Sequence, residues 1–246
     1  MLGALPARIK RRLPPRLRVP AIALKHYWLG ESELRILGEL AARRRGAVDV
    51  GANQGAYTWF LGRLCPRVWA FEPHPELAAI LRGWAPRHVE IHECVLSDRA
   101  GETELVVPCF RGRPEPGQGS AAPWAWVREL PVQQRYRCQA ARLDDIVDED
   151  IGFIKIDVEG LERQVIEGSL GLLQRSHPVL LVEIEQRHQP RPVGELFGLL
   201  AGLGYAASYF WRGNHFDVDW ARLTGDPSAP APWPAQVRNF IFRSRS

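Results

Sequence analysis

The chain has 246 residues, of which 46% are hydrophobic and 24% are charged, and it carries a formal net charge of +4. A chain of this length can bury one sizeable core, so we expect a single domain. The small positive charge does not by itself identify nucleic acid as a partner, and no apolar run approaches the roughly 20 residues that span a bilayer.

Residues 1–30 are basic and interrupted by proline, which predicts an N-terminal extension before one domain over residues 31–246. The first 25 residues hold seven Lys or Arg and no acid. The prolines also break the apolar stretch that a secretory signal would need. The extension is either a solvated segment or one attracted through residues 1–25 to an anionic membrane surface or a lipid-linked substrate. A helix from about Ser32 to Arg43 is predicted next, with Ser32 as its N-cap.

The segment from Ala47 to Thr58 predicts a buried strand, a loop of small residues and a helix from about Gly55 to Leu64. Glycine lets such a loop turn tightly and approach a ligand, and the free amides at the helix start face that ligand. A dinucleotide fingerprint needs three glycines, and the side chain of Asn53 stands where it needs none. A carboxylate at the strand end suits a cation, which favours S-adenosylmethionine with its ammonium and sulfonium groups. The predicted cofactor-binding residues here are Asp49, Gly51, Asn53, Gly55, Tyr57 and Thr58.

The second strand, residues 67–71, ends at Glu72 because a proline follows it. An acid about 20 residues beyond a glycine turn commonly binds ribose hydroxyls, and Glu72 lies 17 positions after Gly55. A third strand over residues 88–96 leads into Ser97 and Asp98. These two side chains either bind the edge of an adenine ring or form a simple turn.

Residues 108–135 are rich in glycine and proline, which predicts an irregular, lid-like insertion. Trp124 and Trp126 in this segment either stack on a sugar or another flat ligand, or fill a gap in the core.

Charged residues follow the next two apolar strands, over residues 153–157 and 179–185. Alternation places Lys155, Asp157 and Glu159 on one face, where three unpaired charges in a central strand would be costly to bury. A functional role therefore fits Asp157 and Glu159 best. The predicted elements after these are a helix over residues 193–203, strands over 205–211 and 237–243, and a loop over 213–235.

With these segments in place, the chain resembles the FkbM family of S-adenosylmethionine-dependent methyltransferases. The resemblance covers residues 34–243 and rests on VDVGANQGAYT, AFEPHPE, VLSDRAGE, ARLDDIV, IKIDVEGLERQVIEG, LLVEIE and NFIFR, in that order. It implies a class I, Rossmann-like α/β fold with a seven-stranded, mostly parallel sheet, an antiparallel last strand and helices on both faces. It also implies S-adenosylmethionine as cofactor. By position, Asp49, Gly51, Asn53 and Gly55 would surround its methionine part, Glu72 its ribose, Ser97 and Asp98 its adenine, and Asp157 and Glu159 the transferable methyl.

We therefore expect methyl transfer to oxygen, at a hydroxyl of a sugar, glycan or other small acceptor that is free or lipid-linked. The enzyme must mainly align the nucleophile and exclude water, and a carboxylate or imidazole can take the hydroxyl proton. The candidates for this base are Asp157 and Glu159, followed by Glu183 and His188. Clustered acids can also bind a divalent metal, but the spacing here is not diagnostic, so no metal site is predicted.

Two other functions compete with this prediction. The glycine loop also occurs in nicotinamide-dependent oxidoreductases, although Asn53 opposes that assignment. The basic N-terminus would also fit a non-catalytic binding module at a membrane surface, which Glu72 and Asp157 oppose because they would repel an anionic ligand.

The cysteines show no close pairing, so neither a zinc site nor a disulfide framework is predicted. Reduced thiols in a cytoplasmic protein, located free or at the inner face of the membrane, are expected instead. These cysteines are Cys65, Cys94, Cys109 and Cys138.

Overall fold

The computed structural model describes residues 13–41, 45–124, 126–130, 133–219 and 233–245. The helices in these ranges are α1 (Pro15–Leu29), α2 (Leu37–Leu40), α3 (Ala56–Leu64), α4 (Pro75–Trp84), α5 (Glu162–Glu167), α6 (Leu170–Ser176) and α7 (Val193–Gly202). The strands are β1 (Gly46–Val50), β2 (Val68–Phe71), β3 (Val89–His92), β4 (Val95–Leu96), β5 (Gly101–Phe110), β6 (Arg113–Pro114), β7 (Gln133–Ala141), β8 (Ile151–Ile156), β9 (Val179–Glu183), β10 (Tyr205–Trp211), β11 (Asn214–Asp217) and β12 (Asn239–Ser244). Short 3-10 turns lie at Ser32–Arg35, Pro116–Gln118, Trp126–Glu129, Leu143–Asp145 and Gln186–His188.

The main sheet has the strand order β11-β10-β12-β9-β8-β1-β2-β3. Strands β3, β2, β1, β8 and β9 are parallel, and β12 enters antiparallel between β9 and β10. The predicted α/β class, with a mostly parallel sheet and an antiparallel last strand, is confirmed. The sheet has eight strands, one more than predicted, because β11 pairs with β10. All four residues of β11 are exposed, so no burial pattern distinguished it from the predicted loop over 213–235.

A second sheet, of order β4-β7-β5-β6, extends over residues 95–141 and so overlaps the end of the predicted third strand and both ends of the predicted insertion. The predicted strand over 88–96 splits, since β3 pairs with β2 and β4 pairs with β7. Strands β5 and β7 form a long antiparallel hairpin, which shortens the irregular part of the insertion. Most of β7 is polar and at least partly exposed, so the alternation that reveals a half-buried strand is weak there.

Apolar residues cover both faces of the main sheet, as expected for parallel strands. One face carries Val48, Ile154 and Leu180 against the later helices, and the opposite face carries Ala47 and Phe153 against α3. Strand β8 is buried at all six positions. Its apolar sequence therefore reflects burial on both sides, and the ligand-facing groups are confined to the loops at its carboxyl end.

The N-terminal segment differs from the predicted extension, because residues 15–29 form helix α1. Pro15 occupies the first turn, where a missing backbone N–H costs nothing, so this proline is compatible with a helix start. Val19 and Ala23 are fully buried against α3 and α4. The chain is thus packed into the fold from the start of α1.

The helix predicted from about Ser32 to Arg43 is also shorter than expected. A 3-10 turn and the single-turn helix α2 replace it, because Ile36 adopts φ −102° and ψ 4° between them. Ser32 does not cap a helix, and its hydroxyl donates to Glu33 at 3.2 Å. Residues 42–44 lie outside the described ranges.

Candidate functional site

A cavity of about 240 Å³ opens at the carboxyl ends of β1, β2, β8 and β9, and we call it the central cavity. Parallel strands end together at one edge of a sheet, so residues far apart in sequence meet there. Among the predicted site residues, it is lined by Gly51, Asn53, Glu72, Asp157, Glu159 and Glu183. The structure therefore brings together six residues that span more than 130 positions of the chain.

The glycine loop after β1 has a conformation that requires its small residues. Gly51 has φ 78°, and a Cβ built there would lie 1.8 Å from the carbonyl oxygen of Asp157. Gly55 has φ 84° and precedes α3, so its left-handed backbone starts that helix. Asn53 also has a positive φ, of 49°, which asparagine tolerates better than most residues. The loop can thus turn back under the cavity and touch the end of β8.

Replacing Gly51 with alanine is expected to destabilise the protein by about 3 kcal/mol or more, because left-handed strain and a backbone clash add together. Gly213 is a matched control, since its φ is 85° and a Cβ there meets nothing within 4 Å. Gly213→Ala should cost only the strain, about 1 to 2 kcal/mol. Chemical denaturation of both variants measures the difference. Equal losses would show that the contact between the two loops does not constrain position 51.

Glu72 is fixed at the floor of the central cavity by two backbone hydrogen bonds. The N–H of Asn53 donates to its Oε2 at 2.6 Å, and the N–H of His74 donates to its Oε1 at 2.8 Å. Only 6% of the residue is exposed. Burial raises the pKa of Glu72 to about 7, although both hydrogen bonds favour the charged form. A ligand hydroxyl at this carboxylate would add a donor that also favours the charge.

The free energy of unfolding of the free protein should fall as pH rises from about 4.5 to 7, through the contribution of Glu72. Its folded pKa lies above its ordinary value of 4.5, so the folded state holds the proton more tightly. The stabilisation is complete below the ordinary pKa and is lost as pH rises through the folded pKa. Thermal unfolding of the wild type and of Glu72→Gln across this range tests the prediction. The wild type should lose stability more steeply, and parallel curves would contradict the assignment.

Asp49 and Tyr57 line a smaller cavity of about 90 Å³, which we call the inner cavity and which shares Gly51, Asn53 and Asp157 with the central cavity. The Thr58 hydroxyl donates to Asp49 Oδ2 at 2.5 Å, so Asp49 ties β1 to the first turn of α3. Burial raises the pKa of Asp49 to about 6. Asp49 and Tyr57 line the inner cavity, whereas Gly55 packs against Leu81 and serves the backbone turn. The Asp49 carboxylate thus faces the inner cavity and the Thr58 hydroxyl, and its contact with a cation of the cofactor stays a prediction.

Asp157 and Glu183 form a pair of neighbouring carboxyl groups at the ends of β8 and β9. Asp157 Oδ2 lies 3.6 Å from the buried Lys155 ammonium, and a hydrogen bond from Glu183 favours the charged form of Asp157. Burial raises the pKa of both acids, and the negative charge of Asp157 raises that of Glu183 further. Both pKa values are raised because two neighbouring buried acids cannot both ionise cheaply.

Alternation along the strand predicted one shared face for Lys155, Asp157 and Glu159, and this prediction is wrong for Lys155. Its side chain is 1% exposed, and its ammonium lies 5.3 Å from the Tyr57 ring centroid. Glu159 comes after β8 has ended and has φ 52°, so the strand alternation no longer applies to it. Lys155 is a buried counter-ion for Asp157, and it lies outside the central cavity.

Glu159 is held by His188 and by the insertion between β5 and β7. His188 Nδ1 lies 2.8 Å from Glu159 Oε2, and this contact raises the pKa of His188 in spite of its burial. The Ser120 hydroxyl donates to the Glu159 carbonyl at 2.7 Å, and the Trp124 indole N–H donates to the His188 carbonyl at 3.2 Å. His188 does not line the central cavity, so it positions Glu159 from behind. Trp124 is 37% exposed and braces the same turn, while the side chain of Trp126 lies outside the described part of the structure.

Ser97 and Asp98 do not line the central cavity and instead border a neighbouring surface depression. Their side chains are hydrogen-bonded to each other at 3.0 Å.

The walls of the central cavity beside the end of β2 are apolar, and their residues were not predicted as site residues. They are Phe71, Pro73, Cys94, Val95 and Leu96. Apolar residues at strand ends look like ordinary core in a sequence, so no signal marked them.

The insertion covers the central cavity from above. Pro116, Gly117, Gly119 and Ala121 line it, and a Cβ at Gly117 would lie 3.0 Å from the Asn53 amide nitrogen. Asn53 Oδ1 is buried and has no hydrogen-bond partner among the described residues. A buried acceptor of this kind needs a donor, so the cavity suits a ligand with an ammonium or hydroxyl group.

The model of the Methyltransferase FkbM domain matches residues 49–207, which include every predicted site residue. The chain belongs to the FkbM methyltransferase family.

Relatives of the FkbM family chain include the 31-O-demethyl-FK506 methyltransferase FkbM of Streptomyces tacrolimicus. It is 29% identical over an alignment of 187 positions, and the match covers 64% of this chain and 71% of the relative. Among solved structures, a methyltransferase FkbM from Methylobacillus flagellatus aligns with 16% identity and a TM-score of 0.48, over 96% of this chain and 57% of that one. A TehB-like S-adenosylmethionine-dependent methyltransferase from Corynebacterium glutamicum aligns with 11% identity and a TM-score of 0.43, over 92% of this chain and all of that one.

The cofactor of this FkbM family chain is S-adenosylmethionine, as predicted. The central cavity fits it, because the unpaired Asn53 oxygen suits an ammonium donor and Glu72 suits ribose hydroxyls. The apolar walls suit a purine ring. Family membership also favours methyl transfer over the nicotinamide-dependent oxidation that competed with it in the sequence.

Proposed function

We propose that the protein transfers the methyl group of S-adenosylmethionine to oxygen, at a hydroxyl of a sugar or glycan. The observation that carries this proposal is a second cavity, of about 430 Å³, that shares the lining residue Glu183 with the central cavity. We call it the aromatic cavity, since Phe210 and Trp211 of β10 form part of its wall.

The aromatic cavity combines flat apolar rings with hydrogen-bonding groups. Besides the two aromatic residues, it is lined by Glu31, Glu33, Glu183, Arg238 and Asn239, among others. A sugar presents apolar C–H faces and a rim of hydroxyls, so aromatic rings and carboxylates together suit it. A hydroxyl bound in this cavity would approach the cofactor from the side of Glu183.

The carboxyl pair supplies the acid–base chemistry that an alcohol needs. S-adenosylmethionine supplies an electrophilic methyl group when bound in the central cavity. Glu183 borders both cavities, so after losing its own proton it can accept the proton of the attacking hydroxyl. Asp157 and Lys155 hold the charge beside it, and the insertion excludes water from above. Burial raises the pKa of Glu183, so its carboxylate is a stronger base than an ordinary one.

The relative from Streptomyces tacrolimicus supports oxygen as the accepting atom. Its name describes it as a methyltransferase for a 31-O-demethyl compound. The aromatic cavity of this chain lies outside the matched family domain except for Glu183, because β10 beyond residue 207 and the segments around Glu31 and Arg238 form its walls. We therefore infer that the acceptor is specified mainly by segments on either side of the matched residues 49–207.

Mass spectrometry of native glycans, from cells with and without the gene, tests the proposal. We expect a glycan that is heavier by one CH₂ group only when the wild-type gene is present. Titration calorimetry with S-adenosylmethionine tests the first half separately. Cofactor binding without any glycan difference would overturn the sugar acceptor, and absence of cofactor binding would overturn methyl transfer itself.

A further inference from the structure

Helix α1 has one face that belongs to the core. Val19 and Ala23 are fully buried, and Ile22 and His26 line the inner cavity together with Asp157. A Cβ at Gly83 of α4 would lie 2.8 Å from the Pro15 ring, which shows how closely the helix seats on α4. The inner face therefore fixes the position of α1 beside the candidate site.

The opposite face of α1 is apolar and open. Leu17, Leu24 and Trp28 are spaced by seven and four positions, so they lie along one line of the helix, about half a turn away from Val19 and Ala23. Leu17 is 59% exposed, Leu24 39% and Trp28 68%, and the neighbouring Leu29 is 73% exposed. A water-facing helix surface is normally polar, so these side chains call for a partner.

This apolar line is a cluster and not a scattering of single residues. Seven large hydrophobic side chains of the described ranges are exposed, and four of them lie in α1. The others are single residues at separate places, namely Phe110, Trp124 and Phe216. Isolated exposed residues are ordinary, whereas four along one helix form a surface.

The charges around the apolar line are positive. Arg16 and Lys25 are exposed on α1, and the helix contains no acid. In the sequence, four more basic residues precede them, namely Arg8, Lys10, Arg11 and Arg12, which lie outside the described ranges. An apolar line with tryptophan and flanking basic residues matches the boundary of an anionic bilayer, where each basic residue adds attraction.

We propose that the outer face of α1, formed by Leu17, Leu24 and Trp28, docks on an anionic bilayer surface, with the exposed Leu29 at the end of the helix beside it. At 15 residues the helix is about 22 Å long, shorter than the roughly 30 Å hydrocarbon core, so it lies in the interface. No helix of the described ranges is long and apolar enough to cross a membrane.

Docking would place the reaction site close to the lipid. The inner face of α1 borders the inner cavity, so the bilayer would lie about one helix diameter, roughly 10 Å, from residues that surround Asp157. The docking of α1 does not depend on the proposed function, but its consequence for the acceptor does. An acceptor hydroxyl carried on a lipid anchor would reach the aromatic cavity without leaving the membrane surface.

Co-sedimentation with vesicles tests the docking. We expect the wild-type protein to bind vesicles of equimolar phosphatidylcholine and phosphatidylglycerol, and to bind pure phosphatidylcholine vesicles at least about tenfold more weakly. The double variant Leu24→Ser/Trp28→Ser should weaken binding to the anionic vesicles by about tenfold or more, because it removes two apolar insertions. Phe216→Ser is the matched control, since Phe216 is 43% exposed on β11, and it should leave binding unchanged.

A second variant keeps the docking testable if the first variant does not fold. Arg16→Glu/Lys25→Glu retains the apolar line and should weaken binding to anionic vesicles. The binding that remains should be less sensitive to salt than that of the wild type, because fewer positive charges remain to be screened. Thermal unfolding and cofactor titration of each variant should match the wild type. No vesicle binding by the wild type would overturn the proposal, as would a dimer in light scattering that the Leu24/Trp28 variant dissociates. Absence of cofactor binding by a wild-type protein that still binds vesicles would overturn the proposed function and leave the docking of α1 standing.

Discussion

Glu183→Gln is expected to lower the rate of methyl transfer by about 10² to 10⁴-fold, the usual range for loss of a general base. Glutamine keeps the size of the side chain and can still donate a hydrogen bond to Asp157, but it cannot accept a proton. Among the described residues, Glu183 is the only carboxyl that lines both the central and the aromatic cavities, so no other acid can replace it there. The measurement is incorporation of label from methyl-tritiated S-adenosylmethionine into the glycans of a gene-deleted strain.

The pH profile separates this role from a structural one. Burial and the charge of Asp157 raise the pKa of Glu183, so the basic form grows as pH rises through that raised value. The wild-type rate should therefore increase with pH, and Glu183→Gln should lose that dependence while its affinity for the cofactor stays within about threefold. Glu195→Gln is a control outside both cavities and should behave as the wild type. A wild-type rate in the Glu183 variant would show that the acceptor loses its proton elsewhere.

Glu72→Gln is expected to weaken the binding of S-adenosylmethionine by about 10 to 100-fold. A hydrogen bond to a charged group contributes about 1.5 to 3 kcal/mol, and each 1.4 kcal/mol changes the dissociation constant tenfold. Both oxygens of Glu72 accept backbone N–H groups, so the amide of glutamine must turn its own donor towards one of them. The variant thus disturbs the loop at Asn53 as well as the ribose contact.

Titration calorimetry at pH 8, above the raised pKa of Glu72, gives the clearest comparison, because the carboxylate is then charged in the wild type. Glu76→Gln is the matched control, since Glu76 is exposed in the first turn of α4, four residues away. It should bind the cofactor as the wild type does. An unchanged dissociation constant in a folded Glu72→Gln protein would remove Glu72 from the cofactor site.

Predictions from the sequence succeeded where a local pattern has one physical solution. The run from Val48 to Gly55 can only end a buried strand in a glycine turn, and the structure confirms the left-handed glycines and the helix that follows them. The positions of the acids that follow the parallel strands were also predicted correctly. Glu72, Asp157 and Glu183 meet at one sheet edge because parallel strands end together.

Predictions failed where the outcome depends on a distant contact. Strand β7 is polar and at least partly exposed over most of its length, and only pairing with β5 makes it a strand. The prolines of α1 suggested an extension, but packing of Val19 and Ala23 against α3 and α4 secures a helix there. Local propensity is a weak prior, and tertiary contacts override it.

The sequence by itself determined the family, the glycine loop and the acids at the strand ends, because each depends on residue type at fixed spacing within one strand–loop unit. Only the tertiary structure decided what surrounds those acids. It placed Lys155 beneath Asp157, His188 behind Glu159, and the side chains of Ser97 and Asp98 outside the central cavity. It also joined the segment at Glu31, strand β10 and the start of β12 into one aromatic cavity. Those contacts link positions up to about 200 residues apart, and no spacing rule along the chain encodes which distant segments share a wall.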